Sequence, residues 1–111
     1  MWPRRGARTK YAAVPTAVDG IRFASKREAH RYGELVLRLR AGQIGDLACH
    51  PEYDIAVGDV HISTYIADFS YVDLATGELV VEDVKGMPTP VFKLKKKLIE
   101  ALYPFQIREV R

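Results

Sequence analysis

Charged residues interrupt an apolar, β-rich stretch between Tyr65 and Gly86: Asp68 on its first strand, and Glu82, Asp83 and Lys85 on its second. Burying such a charge costs on the order of several kcal/mol unless it is paired or bound to a metal ion. Asp83 and Lys85 are two positions apart, so they project from the same face of one strand. Asp68 lies on the neighbouring strand, where a suitable register places its carboxylate beside that of Asp83. Two carboxylates and an ammonium meeting at a sheet edge would form a site for a hard cation and an anionic substrate.

This set of side chains suits the hydrolysis of a phosphodiester bond. A divalent metal polarises the phosphate and lowers the pKa of a bound water, and Mg²⁺ (or Mn²⁺) is commonly held by one or two carboxylates. We therefore assign Asp68 and Asp83 as metal ligands, with the backbone carbonyl of Val84 as a third candidate. Lys85 is assigned as the cation beside the attacking water. Glu28, from a preceding helix, is assigned to a second metal ion or to a metal-bound water.

Some of these assignments have simpler alternatives. Glu28 lies three residues after Ser25, which is the spacing of a capping box, so capping alone would explain its carboxylate. Lys85 could instead form a structural salt bridge with one of the aspartates. Glu82 projects from the face opposite to Asp83 and is not assigned to the site.

The other potential metal ligands lack suitable spacing. Neither His50 nor His61 has a second His or Cys at a metal-binding spacing, so we assign both to structural or incidental roles. Cys49 is the one cysteine, which excludes an intramolecular disulfide and a zinc site of several thiolates. A reducing, cytoplasmic location fits this composition.

Length and charge indicate one domain with a polyanionic partner. The chain has 111 residues and a formal net charge of +3, which suits a single core. Lys and Arg are concentrated near the N-terminus, between Lys26 and Arg40, and between Lys93 and Lys97, whereas the segment from Gly42 to Leu79 contains none. A basic face around an acidic centre is expected to bind DNA. No apolar run approaches the length of about 20 residues needed to span a bilayer, so we expect no membrane.

The first half of the chain is predicted to contain a basic arm, a hairpin, a helix and a strand. Residues 1–10 are expected to be a flexible arm, and residues 11–111 a single domain. The Asp19-Gly20 pair predicts an N-terminal β-hairpin. A helix is predicted from Ser25 to Gly42, and one long strand, bent at Pro51, from Ile44 to Val57. The buried stripe of that helix is expected to contain Ala29, Tyr32, Leu35, Val36 and Leu39.

The second half is predicted to form a hairpin, a helix and a final strand. The hairpin covers residues 65–86, with its turn at Ala75-Thr76-Gly77, and Gly58-Asp59 leads into it. Thr89 and Pro90 begin the second helix, which is followed by a strand from Phe105 to Val110. The predicted buried face of this helix contains Val91, Leu94, Leu98 and Ala101. The residues predicted to bind nucleic-acid phosphates from its other side are Lys93, Lys96 and Lys97.

The element order and these motifs resemble the PD-(D/E)XK nuclease superfamily, whose restriction-endonuclease-like core is an α/β fold with a mixed sheet in the order α-β-β-β-α-β. Here an N-terminal β-hairpin precedes that core. Asp68 matches the first acidic position, Asp83-Val84-Lys85 the (D/E)-x-K motif, and Glu28 the acidic residue often found on the first helix. Ala67 stands where the motif has proline. More narrowly, stretches such as FASKREAHRYGEL and VVEDVKG are similar to those of a small phage and prophage family described as uncharacterised or as endonucleases.

This resemblance implies a metal-dependent DNA endonuclease that leaves 5′-phosphate and 3′-hydroxyl ends, with Mg²⁺ or Mn²⁺ as cofactor. It also suggests kinship with small resolvases that cut branched DNA, such as Holliday junctions, as homodimers, in the host cytoplasm if the protein is phage-encoded. A non-catalytic nucleic-acid-binding module with the same fold is the alternative. Asp83→Ala in a cleavage assay distinguishes the two.

Overall fold

The computed structural model describes residues 16–85 and 87–111. The helices are α1 (Lys26–Arg40) and α2 (Pro90–Leu102). The strands of these segments, in chain order, are β1 (Thr16–Val18), β2 (Ile21–Phe23), β3 (Ile44–Cys49), β4 (Glu52–Val57), β5 (Val60–Ile66), β6 (Phe69–Asp73), β7 (Leu79–Val84) and β8 (Ile107–Val110). The predicted arm over residues 1–10 and the start of the predicted N-terminal hairpin lie outside the described residues.

The central sheet is mixed and has the strand order β3-β6-β7-β8. Its first three strands are antiparallel to their neighbours, whereas β8 runs parallel to β7. Parallel neighbours need a long crossover connection, and α2 supplies it between β7 and β8. The predicted α/β class with a mixed sheet is therefore confirmed.

The two helices pack against opposite faces of this sheet. Along β7, Val80 and Val84 belong to the core that contains α1, whereas Val81 belongs to the core that contains α2. Because side chains alternate along a strand, Glu82 shares the α1 face and Asp83 shares the α2 face. The two acidic neighbours are thus separated by the thickness of the sheet, as the sequence predicted.

Helix α1 begins and ends as predicted. The hydroxyl of Ser25 accepts a hydrogen bond of 3.1 Å from the N–H of Glu28, which caps the first turn. Gly42 follows the helix with a φ of 75°, a conformation that glycine adopts without strain. The predicted stripe is confirmed at three positions, but Leu39 is 39% exposed and Val36 is half-buried. The three buried apolar residues are Ala29, Tyr32 and Leu35.

The N-terminal hairpin is also confirmed within the described residues. β1 and β2 pair antiparallel on either side of Asp19 and Gly20, which have φ values of 54° and 76°. Phe23 at the end of β2 is fully buried against α1 and the sheet. The hairpin thus covers one end of the α1 core.

The prediction of one long strand from Ile44 to Val57 is wrong. β3 pairs with β6 in the central sheet, whereas β4 pairs with β5 in a separate two-stranded sheet. The change of partner occurs at the predicted bend, where His50 adopts a φ of 55° immediately before Pro51. Gly58 lies in the turn between β4 and β5 and does not lead into the central hairpin. From here on, the arm means the β4–β5 hairpin, Glu52–Ile66, and not the predicted basic segment over residues 1–10.

The predicted central hairpin is formed by β6 and β7, with Gly77 in its turn at a φ of 76°. Its first strand is shorter than predicted because Tyr65 and Ile66 belong to β5. Backbone hydrogen bonds from His50 to Asp68 (2.9 Å) and from Ala67 to Pro51 (3.0 Å) join the two ladders. The arm is therefore a bent continuation of the β3–β6 pair.

Helix α2 has the predicted N-terminus but not the predicted buried face. The hydroxyl of Thr89 accepts a hydrogen bond of 3.1 Å from the N–H of Phe92. Phe92 and Ile99 are buried against the sheet and the arm, whereas Val91 and Leu94 are 64% and 60% exposed. The helix carries two apolar rows, and the row with the larger aromatic residue faces the core.

Of the other two residues predicted for this face, Leu98 is half-buried and Ala101 is exposed. The final strand, β8, begins at Ile107 and is two residues shorter than predicted. In the parts of the chain that the structure describes, no helix is long and apolar enough to cross a membrane.

Candidate functional site

The candidate site lies where the arm bends away from the central sheet. Asp68 occupies this bend, between β5 and β6. Its N–H donates to the carbonyl of Glu82 at 3.1 Å, and its carbonyl accepts from His50. Its carboxylate accepts a hydrogen bond of 2.6 Å from the N–H of Val84. These contacts fix Asp68 beside the C-terminal end of β7.

Asp83 lies next to Asp68, as the predicted register required. The two carboxyl groups lie close enough to shift each other's pKa, and Asp83 is only 3% exposed. The hydroxyl of Tyr65, from the arm, donates to the second oxygen of the Asp83 carboxylate. Tyr65 therefore orients Asp83, a role that no spacing in the sequence indicated.

Lys85 completes the predicted group. Its ammonium lies 3.4 Å from the carboxylate of Asp83 and 4.6 Å from the centre of the Phe92 ring. A carboxylate on one side and an aromatic face on the other both attract a cation. The alternative of a structural salt bridge therefore describes one of the contacts of Lys85. It does not account for Asp68, whose carboxylate faces other carboxyl groups.

Glu28 reaches this group from the first turn of α1. Its side chain is buried and lies close enough to the carboxyl of Asp68 for each group to shift the pKa of the other. The Ser25 half of the predicted capping box is formed, and the proximity of the Glu28 carboxyl to Asp68 is a feature that capping alone does not require. The structure thus brings all four predicted side chains together.

His50 also lies at this site, although the sequence predicted an incidental role. Its Nε2 is 3.8 Å from a carboxylate oxygen of Glu28, and its ring packs against Phe23. Its positive φ is unusual for a residue other than glycine, and such conformations cluster at functional sites. Neither the bend nor the contact with Glu28 could be read from a lone histidine in the sequence.

Burial is the main cause that raises the pKa of the three acidic groups. Burial raises the pKa of Asp68 to about 6, and repulsion from Glu28 adds to the shift, although the Val84 amide opposes it. Burial also raises the pKa of Asp83 to about 6, with a further contribution from the charge of Asp68, against the opposing effects of Tyr65 and Lys85. The pKa of Glu28 is raised chiefly by burial. When ionised, three carboxylates and one ammonium leave a net charge of −2.

The donor set fits a hard divalent cation. The candidate ligands are carboxylate oxygens, and an ion of charge +2 would neutralise the net charge of −2. In residues 16–85 and 87–111, no three His, Cys, Asp or Glu side chains are arranged to hold a metal ion by themselves. Mg²⁺ typically takes one or two carboxylates and completes its coordination with water and substrate phosphate. The contact that Val84 makes here is through its N–H, to Asp68.

A second polar cluster lies on the opposite face of the sheet. Glu82 is fully buried, and Arg31 binds its carboxylate through two hydrogen bonds of 2.8 and 2.6 Å. The hydroxyl of Tyr71 also donates to Glu82. Burial by itself would raise the pKa of Glu82, but Arg31 and Tyr71 outweigh burial and lower it. The carboxylate of Glu82 has its charge and hydrogen-bonding partners within this cluster, on the opposite face of the sheet. Glu82 is therefore not part of the candidate site.

The three lysines predicted to bind nucleic acid differ in availability. Lys93 and Lys97 are exposed on α2. Lys96 is tied to Glu109 of β8 at 2.8 Å, and this hydrogen bond raises the pKa of Lys96. Two of the three side chains are therefore free to meet a polyanion, whereas the third is engaged in holding α2 to the sheet.

Comparison with known proteins gives a family for almost the whole chain. No curated protein and no solved structure is significantly similar to this chain. One family model matches residues 8–110, and its description is a protein of unknown function. The matched range includes Glu28, Asp68, Asp83 and Lys85. The chain therefore belongs to the DUF1064 family.

Proposed function

We propose that this protein is a Mg²⁺- or Mn²⁺-dependent DNA endonuclease that hydrolyses phosphodiester bonds. The observation that carries the proposal is the convergence of the carboxyl groups of Glu28, Asp68 and Asp83 with the ammonium of Lys85 at one edge of the sheet. A structural ion pair needs one carboxylate for one ammonium. The two additional carboxylates leave a negative charge that a divalent cation would balance.

The topology supports assignment to a PD-(D/E)XK core. The sequence α1-β3-β6-β7-α2-β8 has three antiparallel strands followed by a parallel one, with a helix on each face. In this assignment the arm is an insertion between the first and second core strands. The insertion also explains why the first acidic position lies at a bend: Asp68 is the residue at which the chain returns from the arm to the sheet.

Each side chain has a defined role in the proposed reaction. Asp68 and Asp83 would hold the metal ion, with the carbonyl of Val84 as a further candidate ligand, and Glu28 would hold a second ion or orient a water. When bound, the metal supplies positive charge at the phosphate and makes a coordinated water more acidic. Lys85 donates hydrogen bonds to that water or to a phosphoryl oxygen, and Asp83 and Phe92 keep its ammonium in place. Water attacks phosphorus, and the P–O3′ bond breaks to leave a 5′-phosphate and a 3′-hydroxyl.

The charge distribution supports a DNA substrate. Lys93 and Lys97 are exposed on the helix that follows the site, and lysines at such positions contact phosphates. The segment between Gly42 and Val84 contains no Lys or Arg, so the acidic centre is bordered by basic elements. Branched DNA, such as a four-way junction, is the substrate that we propose to test first. This activity would take place in the cytoplasm.

The experiment is incubation of the purified chain with plasmid, single-stranded and four-way-junction DNA, with Mg²⁺, Mn²⁺ or EDTA. We expect metal-dependent products from the wild type and none from Asp83→Ala. Asp46→Asn is a matched control, because Asp46 is an exposed acid with a φ of 52°, which asparagine tolerates. DNA binding that persists in wild type and Asp83→Ala without any product would refute the enzyme and favour the binding module.

A further inference from the structure

The arm leaves an apolar surface uncovered. Its inner side contributes Ile55 and Tyr65 to the core with α2. Its exposed aliphatic residues are 55–64% accessible; they are Val57, Val60, Ile62 and Ile66. A two-stranded hairpin is marginally stable in water unless it packs against something, and here only one side does so. On the other side Ile62 and Ile66 of β5 are exposed, and Val57 and Val60 pair with each other at the exposed tip of the hairpin.

Helix α2 presents a second uncovered apolar surface. Val91, Leu94 and Leu102 are 64%, 60% and 47% exposed, and half-buried Leu98 lies between them along the helix. The spacings of three, four and four residues place these four side chains in one row. Val91, Leu94 and Leu98 are three of the four residues that the sequence predicted to be buried. Leu98 packs against the edge of the core that contains α2, whereas Val91, Leu94 and Leu102 remain exposed.

The two surfaces carry opposite charge. The arm contains Glu52, Asp54 and Asp59 and no Lys or Arg, a formal charge of −3. Helix α2 contains four lysines and Glu100, a formal charge of +3. Some of these groups have partners within the chain, since Asp54 pairs with His61 and Lys96 pairs with Glu109. Exposed carboxylates therefore flank the apolar groups of the arm, and the lysines give α2 a positive charge that attracts them. Lys93 and Lys97 project from a different side of α2 than the apolar row, so they remain available to DNA.

We infer that a second copy of this chain covers both surfaces, with the arm of each copy lying on α2 of the other. A two-fold axis makes the two contacts equivalent and closes the assembly as a dimer. Contact between two arms would bring acids together, and contact between two helices would bring lysines together. DNA is excluded from the arm by the same negative charge. Arm-to-helix contact is the arrangement that matches apolar surface with apolar surface and acid with base.

This inference does not depend on the proposed nuclease activity, because oligomeric state is measured without DNA or metal. Light scattering on the full chain is expected to give twice the 12.5 kDa of the monomer. We expect Ile62→Asp on the arm and Leu94→Asp on α2 each to give monomers. Leu37→Asp is the matched control, because Leu37 is 66% exposed on α1, away from both surfaces, and should leave the dimer intact.

Mixing the two interface variants identifies the pairing. A mixed dimer of Ile62→Asp with Leu94→Asp has one contact in which both surfaces are altered and one in which neither is. Mixing is therefore expected to restore dimers that neither variant forms alone. A helix–helix dimer would leave Ile62→Asp dimeric, and an arm–arm dimer would leave Leu94→Asp dimeric; either result overturns the inference, as does a monomeric wild type at high concentration.

Folding is checked by circular dichroism and thermal melting of each variant. All three substituted side chains are more than half exposed, so we expect cooperative melting close to that of the wild type. Should Ile62→Asp or Leu94→Asp fail to fold, Ile66→Asp and Val91→Asp replace them at neighbouring positions of the same surfaces. A failure of mixing to restore dimers from folded, monomeric variants would also contradict the arm-to-helix arrangement.

Discussion

The carboxyl groups of Asp68 and Asp83 lie close enough to shift each other's pKa at the point where the arm leaves the sheet. Their proximity arises because the Asp68 carboxylate is fixed by the Val84 N–H, one residue beyond Asp83. Folding thus forces two like charges together in a place from which water is largely excluded. The following expectations concern the energetic cost of this arrangement and the conditions that relieve it.

As the pH rises from about 4 to 7, ionisation of this pair is expected to lower the free energy of unfolding of the metal-free protein. The folded pKa of each aspartate, about 6, lies above the ordinary value of 3.8, so folding favours the protonated forms. Their contribution is complete below pH 4 and is lost as the pH rises through 6. Asp83→Asn removes one charge and should raise the free energy of unfolding at pH 8 by on the order of 1–3 kcal/mol relative to wild type.

Urea unfolding in EDTA at pH 4 and pH 8 measures this effect. The difference between Asp83→Asn and wild type should be small at pH 4, where the aspartate is itself neutral, and should favour the variant at pH 8. Asp46→Asn, which changes an exposed acid, should behave as wild type at both values. Equal destabilisation by Asp83→Asn at both pH values would contradict the electrostatic explanation.

Mg²⁺ is expected to reverse this loss of stability. An ion that binds the folded state alone stabilises it by about 2.7 kcal/mol at a concentration of 100 times its dissociation constant. The increase in melting temperature should be larger at pH 8 than at pH 5, because the ion requires ionised carboxylates. Thermal melts with and without MgCl₂ provide the measurement. A shift of the same size in Asp83→Asn would show that the ion binds elsewhere.

The ion pair between Arg31 and Glu82 is expected to matter for stability and not for catalysis. Arg31→Met leaves the fully buried Glu82 without its two strongest hydrogen bonds and should cost about 3–5 kcal/mol. Glu34→Gln removes only the exposed 3.3 Å partner of Arg31 and should cost less than about 1 kcal/mol. Denaturant unfolding of both variants tests this.

The double variant Arg31→Met/Glu82→Gln gives the internal control. Replacing the carboxylate by a neutral amide removes the unpaired charge, so part of the missing stability should return. Because the pKa of Glu82 is lowered in the folded state, the stabilisation from this pair should fade as the pH falls through that lowered value. Additive losses in the double variant would show that the pair is not the source of the effect.

The parts of the site that the sequence predicted depend on short-range regularities. Period-two alternation placed Asp83 and Lys85 on one face and Glu82 on the other, and the capped helix brought Glu28 to the same end of the sheet. Tyr65 and His50 reach the site because the strands change partner at Pro51; the sequence predicted a bend there but not the change of partner. Arg31 and Glu82 are 51 positions apart in the chain, so their contact depends on how α1 packs.

The misassigned face of α2 has a different physical cause. The helix carries two apolar rows, and period 3.6 identifies both without ranking them. Phe92 belongs to the row that packs against the arm, so the choice between the rows depends on the arm, an insertion whose first strand the sequence pattern merges with β3. Because the sequence pattern did not reveal the β4–β5 hairpin, it also could not identify which row of α2 is buried.

His50 provides a test of whether backbone strain at the bend serves the site. Glycine accepts the φ of 55° without strain, so His50→Gly should retain or slightly raise the free energy of unfolding. It also removes the ring that lies 3.8 Å from Glu28, and we expect DNA cleavage to fall by about 10-fold or more, roughly 1.4 kcal/mol. Unchanged cleavage by a stable His50→Gly would assign the residue to the turn alone.

The lysines of α2 should differ in their contribution to nucleic-acid binding, because one of them already has a partner within the chain. Removing one lysine that binds a DNA phosphate makes the slope of log K against log salt shallower by about 0.9. We expect such a change for Lys93→Gln and Lys97→Gln, whose side chains are exposed, with little change in stability. Lys96→Gln should instead lower the melting temperature and leave the slope unchanged, because its ammonium is already bound to Glu109 at 2.8 Å. Fluorescence anisotropy across a salt series measures the slope, and thermal melts of the three variants measure stability. A change of slope in Lys96→Gln alone would contradict this division of roles.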